Sequence, residues 1–236
     1  MGKPVIWFTR HLEEHQAEEV SAAGFEVIVE PLIESIQRED AETEPQIIDA
    51  LNAGPAAVAV TSRNGAESLI RFRTLLFGIP VFSVGAKTRE YLAEHGIDSE
   101  MPGGVQNGAA LANLIRQKIT GKGSVIHLCS SRRRPELSEN LKKTGLEYTE
   151  IISYDTNLIQ PENYPECDVA AFFSPSAVES FFSRDTKQMP ELFASVGMTT
   201  TSSLIDAGVD ESRIVTAPEP SVYSVIQTLA VRYHGK

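Results

Sequence analysis

VAVTSRNGAESLIRF, residues 58–72, and AAFFSPSAVESFFSR, residues 170–184, are two copies of one strand–turn–helix pattern set 112 residues apart. Each opens with a short apolar run that suits a buried strand, passes through a polar turn and continues at helical spacing. Farther along, VFSVGAKTREYLAEHGID from Val81 matches LFASVGMTTTSSLIDAGVD from Leu192. Ser62 to Gly85 is 23 residues, and so is Ser174 to Gly197. At the same offset Glu67, Ser68, Val84, Thr88, Leu92, Gly96 and Asp98 meet identical residues at Glu179, Ser180, Val196, Thr200, Leu204, Gly208 and Asp210. No gap is needed over about forty positions, so the chain reads as a duplicated α/β unit.

With 236 residues and 42% hydrophobic content, the chain has enough apolar surface for one large core or two smaller ones. Its longest apolar stretches are too short to span a bilayer. The opening MGKPVIWFTR has too brief an apolar segment for a signal peptide and lacks a myristoylation pattern, so a cytoplasmic protein is expected. Cys129 and Cys167 are the only cysteines, and their separation suggests neither a metal knuckle nor a disulfide framework. The formal charge of −11 argues against nucleic acid as a partner, because phosphate contacts need a basic face. It also gives an acidic ligand no long-range attraction, so any anion has to be held by local donors. Two basic clusters, Arg71 with Arg73 and the run Arg132, Arg133 and Arg134, each read as a solvated helix face or helix start, a reading favoured for Arg71 and Arg73.

Strands are expected at residues 4–9, 25–33, 57–61, 81–84, 124–128, 147–154, 169–173, 192–196 and 213–216. Helices are expected at 12–23, 45–53, 65–76, 87–95, 108–119, 135–144 and 221–233, besides those of the second cassette pair, with 34–44 as a polar connection. This alternation predicts parallel sheets flanked by helices. The strand–helix–strand at the start also has a later counterpart, since PVIWFTR resembles SVIHLCSS and Gly24 matches Gly145.

In parallel sheets ligands bind beyond the carboxyl ends of the strands, where turns open into helix N-termini. The turns here contain Thr9 and Arg10, Ser62 to Asn64, Lys87 and Thr88, Ser130 and Ser131, Ser174 and Ser176, and Thr199 and Thr200. Their backbone N–H groups bind carboxylate or phosphate without net basic charge. Taken singly, each hydroxyl is an ordinary N-cap contributing about 1 kcal/mol. Repetition of the set points to a ligand carrying several anionic groups. Sharper motifs fail: Gly103, Gly104 and Gly108 are not in strand–GxGxxG–helix order, and Thr120 to Gly123 joins a helix to a strand. The five histidines show no metal spacing or nucleophile partner. No metal, cofactor or triad is expected.

The ordered set of motifs resembles the uroporphyrinogen-III synthase family over essentially the whole chain. The resemblance rests on residues 58–69 and 172–182, each followed by a strand ending in Val-Gly-x-x-Thr. It rests also on Phe8, Thr9 and Arg10, on Glu30, Pro31 and Leu32, and on Ile151 to Tyr154. It implies two similar α/β lobes, each a parallel sheet flanked by helices, joined by a two-stranded β linker. One lobe would hold residues 1–33 and 159–236, the other 34–158, with linker strands near 29–34 and 151–156 in place of a split at residue 120. The implied reaction is the cofactor-free cyclisation and dehydration of hydroxymethylbilane, a linear tetrapyrrole with eight carboxylates, with inversion of its last ring. The implied site is the cleft between the lobes of a monomer, with Ser62 and Thr88 facing Ser174 and Thr200. Tyr154 matches the family's linker tyrosine and would donate a proton to, or hydrogen-bond, the departing hydroxyl; read by itself it is equally a β-prone aromatic of a linker strand. Arg10, Ser62, Arg63, Asn64, Lys87, Thr88, Ser174, Ser176, Thr199 and Thr200 would hold the acetate and propionate arms. The chain departs from the family pattern at Arg63 and Met198, where proline is frequent, and at Phe173, where threonine is usual. Two other readings compete. One is a two-lobed binding protein that closes on a small anion without chemistry; the other, a nucleotide-using transferase, is disfavoured by the missing phosphate loop.

Overall fold

In the computed structural model, residues 2–184 and 189–235 are described. The chain starts with β1 (Val5–Phe8), α1 (Glu14–Ala22) and β2 (Glu26–Val29). It continues through β3 (Ile33–Gln37), α2 (Thr43–Asn52), β4 (Ala57–Val60), α3 (Arg63–Arg71), β5 (Val81–Ser83), α4 (Ala86–Glu94) and β6 (Ser99–Glu100). Then come α5 (Gly108–Lys118), β7 (Ser124–Ser130), α6 (Glu136–Leu141) and the long strand β8 (Glu147–Leu158). The remainder is β9 (Val169–Phe172), α7 (Pro175–Phe182), β10 (Leu192–Ser195), α8 (Met198–Asp206), β11 (Ile214–Thr216) and α9 (Val222–His234).

The chain divides into two units, Met1–Glu34 with Asn157–Lys236, and Ser35–Thr156. The first carries a five-stranded sheet in the order β11-β10-β9-β1-β2, with neighbouring strands parallel. The second carries the order β3-β8-β7-β4-β5-β6, parallel from β8 to β6. Matching strands through the repeat gives one order for both sheets: β8-β7-β4-β5-β6 corresponds to β2-β1-β9-β10-β11. The two units are therefore circular permutations of each other. One places its strand–helix–strand ahead of the two cassettes, the other behind them.

Continuous apolar strands explain the burial on both sheet faces. In β4, Val58 and Val60 pack with Ala66 and Leu69 of α3, while Ala57 and Ala59 pack with Leu111 and Ile115 of α5. In the other unit, Ile6 and Phe8 face Val20 and the α9 residues Val225 and Leu229. Trp7, Phe172 and Phe193 face Phe181 and Leu204 on the opposite side.

The expected strand at 25–33 is two strands. The ladder to β1 ends at Val29, with the Glu30 and Leu32 N–H groups still donating to the Phe8 and Thr9 carbonyls, and pairing with β8 starts at Ile33. Consequently the strand that pairs with β8 is β3 at Ile33–Gln37, displaced from 29–34, and half of the predicted connection 34–44 is ordered strand or helix. That strand reads IESIQ with no buried residue, which is why it carried no period-2 signal. β8 runs on to Leu158, beyond the predicted end at 154. The predicted helix 65–76 starts earlier, at Arg63, and ends at Arg71 before a 3-10 turn, Arg73–Leu75. The two-residue strand β6 was not foreseen.

Candidate functional site: the turns beyond the strand ends

At the end of β4 the chain turns at Thr61 and Ser62. Ser62 is extended (φ −154°, ψ 163°) and its Oγ accepts the Gly65 N–H at 3.0 Å, an N-cap that starts α3. Gly65 is required by space, since a Cβ there would sit 2.9 Å from the Leu128 carbonyl oxygen of β7. The equivalent turn in the other unit has the same cap with Pro175 behind it. Ser174 Oγ accepts the Ala177 N–H at 3.2 Å. Ser176 follows in the first turn of α7, half-buried.

The second pair of turns has diverged. Gly85 caps α4 in a left-handed conformation (φ 86°) that favours glycine, whereas Gly197 ahead of α8 is extended. In both helices the matched threonines, Thr88 and Thr200, are buried, and Lys87 and Thr199 are exposed. The hydroxyl that ties down the Gly197 turn is Thr201, not one of those named from sequence. Its Oγ1 lies 2.6 Å from Ser195 Oγ and 2.7 Å from Thr216 Oγ1, joining α8 to β10 and β11.

Tyr154 owes its position to a bulge. In the β7–β8 ladder Cys129 faces Ile152 and Ser130 faces Tyr154, so Ser153 is an extra residue. Counting by twos would put Tyr154 on the face opposite Ile151. With the extra residue it returns to that face, which α3 covers, and Ser153 and Tyr154 are buried in succession. The Tyr154 hydroxyl then lies 2.8 Å from Ser62 Oγ. Burial raises the phenol's pKa, and the Ser62 and Ser130 hydroxyls only partly offset this, so the group keeps its proton and has one to give. The segment after β7 is stitched to the same strand: Thr156 N–H donates to Ser131 Oγ at 3.2 Å, and the Ser130 and Thr156 hydroxyls are 2.8 Å apart.

Of the residues expected at the site, Ser62, Arg63, Asn64, Lys87, Thr88 and Tyr154 lie at the carboxyl edge of one sheet. Arg63 stacks its guanidinium over the Tyr91 ring at 4.5 Å, and the Asn64 carbonyl accepts from Gln37 Nε2 and Ser68 Oγ. Arg10, Ser174, Ser176, Thr199 and Thr200 lie at the corresponding edge of the other sheet, where Arg10 sits over the Phe173 ring at 5.4 Å. A depression of about 670 Å³ lies at the far end of β5, against Phe77 and His95, away from all of these turns.

Sequence reasoning missed a hydrogen-bonded row behind Thr61. Thr61 Oγ1 lies 3.2 Å from His127 Nε2, and His127 Nδ1 lies 2.7 Å from the Tyr148 hydroxyl. Tyr148 donates to Glu150 Oε1 at 3.1 Å, and Arg133 Nε donates to Glu150 Oε2 at 2.7 Å. A signal existed: His127 interrupts the apolar run VIHLC, and Tyr148 and Glu150 are two apart on one face of their strand.

Burial drives the His127 pKa from 6.5 down to about 4, with the Glu150 charge opposing and Arg133 assisting. The unfolded chain therefore takes up a proton near pH 6.5 that the folded chain refuses until about 4. Stability falls as pH falls through this window, by up to about 3 kcal/mol. Burial also opposes the Glu150 charge, but hydrogen bonds from Arg133 and Tyr148 outweigh it and hold its pKa below 4.5, so its own loss comes at lower pH. Urea midpoints measured across about pH 4–6.5 should show the fall in the parent and a flatter profile in His127→Gln. Equal slopes in the two proteins would remove His127 as its source.

Among the described residues no group of three or more His, Cys, Asp or Glu side chains is placed to hold a metal ion. No helix there is long and apolar enough to cross a membrane.

No curated protein sequence gives a significant match. Among solved structures, a mutant uroporphyrinogen III synthase from Thermus thermophilus aligns over 99% of this chain and 100% of its own, with TM-score 0.71 and 20% identity. Uroporphyrinogen-III synthetase from Helicobacter pylori aligns over 98% and 99%, with TM-score 0.67 and 17% identity. At such identities these similarities establish the fold: parallel sheets flanked by helices. The family model described as uroporphyrinogen-III synthase HemD matches residues 14–227, nearly the whole chain. The chain belongs to the uroporphyrinogen-III synthase family, the cyclising lyases of tetrapyrrole biosynthesis.

Proposed function

We propose that this chain converts hydroxymethylbilane to uroporphyrinogen III with Tyr154 as the proton donor. The observation that carries the assignment is the Tyr154 hydroxyl, buried, protonated and 2.8 Å from Ser62 Oγ, the N-cap of α3. Tyr154 gives its proton to the terminal hydroxyl of the substrate, which leaves as water. The electrophilic ring so formed is attacked at the substituted carbon of the last pyrrole. The resulting spiro intermediate fragments and recloses with that ring inverted.

The substrate's eight carboxylates meet a chain of net charge −11, so local donors carry the binding. N-terminal N–H groups of α3, α4, α7 and α8 take acetate and propionate arms. Hydroxyls of Ser62, Thr88, Ser174, Ser176, Thr199 and Thr200 add to them, as do Asn64 and the cationic Arg10, Arg63 and Lys87. Spontaneous closure gives the uninverted isomer, so most of the work is geometric, and orientation accounts for several kcal/mol of barrier. Every group named belongs to one chain, which supports a monomer as the working unit. Its two free thiols, Cys129 and Cys167, suit a reducing cytoplasm.

Hydroxymethylbilane generated in situ, with product isomers resolved by chromatography, tests the reading. Type III product should form faster than the spontaneous type I isomer. Type I product alone, at the uncatalysed rate, would sink it.

A further inference from the structure

The row behind Thr61 has a fixed direction. Glu150 is a carboxylate and accepts only, so the Tyr148 proton points to it. The Tyr148 oxygen therefore accepts from His127 Nδ1–H. Neutral His127 then has a bare Nε2, and Thr61 must donate its hydroxyl proton inward. The far end is fixed by Arg133, which donates to Glu150 from Nε and forms an ion pair with it. His127 is 1% exposed and sits in the middle strand of this arrangement, with β4 on one side and β8 on the other.

Thr61 and Ser62 are adjacent at the end of a strand, so their side chains point to opposite faces of the sheet. Thr61 points to the side of Ala57 and Ala59, where His127 lies. Ser62 points to the side of α3, where its Oγ meets Tyr154. A threonine pinned on one face thus fixes the direction of the serine on the other.

We infer that His127 is a positioning residue for the reaction: by accepting the Thr61 hydroxyl it locks the turn that aims Ser62 at Tyr154. The catalytic consequence rests on the reading of Tyr154 given above. The anchoring of the turn does not, and the two are measured separately.

Asparagine at 127 reaches the Tyr148 hydroxyl but leaves Thr61 without an acceptor. Glutamine reaches Thr61 and gives up Tyr148. His127→Asn should lower kcat by about tenfold or more, with KM changed less, as expected when reacting groups are misplaced by a fraction of an ångström. His127→Gln should recover most of that loss. Thr61→Val should reproduce the fall, and Thr61→Val with His127→Asn should be no worse than Thr61→Val alone, the non-additivity of one shared contact. Wild-type kcat in His127→Asn would overturn the proposal. So would an equal fall in His127→Gln, or losses that multiply in the double variant, because a merely structural histidine gives those results. Tyr154→Phe is run alongside. Slow Tyr154→Phe with normal His127→Asn rejects the positioning role and keeps the donor. Normal Tyr154→Phe with coupled losses at positions 61 and 127 rejects the donor and keeps the positioning role, acting on Ser62.

Discussion

Tyr154→Phe is expected to slow type III product formation by about a hundredfold or more, the range over which a placed general acid contributes. The variant keeps the ring and its burial and removes the hydroxyl with its contacts to the Ser62 and Ser130 hydroxyls. Ser62 keeps the Gly65 N–H, so the cap of α3 survives. The lost hydrogen bond is worth about 1 kcal/mol, which lowers the melting temperature by only about 2–4 °C in a chain of this size. A large drop in rate beside a small drop in melting temperature is therefore the signature. It is read by resolving product isomers from hydroxymethylbilane made in situ. Near-normal turnover would remove Tyr154 from the mechanism.

Phe181→Ala is expected to cost about 3–5 kcal/mol, against the roughly 5–15 kcal/mol that holds a domain folded. Phe181 is fully buried in α7 and its ring meets those of Trp7, Tyr164, Phe172, Phe182 and Phe193 within 6.1 Å. The cavity left by alanine is walled by strands β1, β9 and β10, which cannot close on it without giving up their ladder. A chain of two units need not unfold in one step, so the probe has to report on the right one. Trp7 is the only tryptophan and its ring is 5.8 Å from that of Phe181. Its fluorescence in urea should show a midpoint shifted strongly downward. A loss below about 1 kcal/mol would mean that the ring contributes little and the site collapses freely.

The sequence disclosed what is local and periodic. Apolar runs such as AVAV in β4 predicted strands covered on both faces, and the 112-residue repeat predicted equivalent turns; Ser62 and Ser174 are both N-caps. Legibility ended where pairing partners decide. β3 has no buried face, so only its neighbour β8 makes it a strand. Thr201 could not be separated from Thr199 and Thr200, because what distinguishes it is the reach to Ser195 and Thr216 on two other elements. His127 looked isolated because Thr61, Tyr148 and Glu150 come together only through the register of three strands. Of the site, then, the turns were readable and the scaffold that orients them was not.

The extra residue at Ser153 makes the direction of the Tyr154 ring a matter of counting. Any side chain at 153 preserves the bulge, and removing the residue would leave Tyr154 two positions from Ile151, where plain alternation gives the same face and the same partner, Ser130. In this stretch of the gene, a three-base deletion that removes the codon for Ser153 and keeps the reading frame would straighten the ladder and leave the phenol on the side of Ser62.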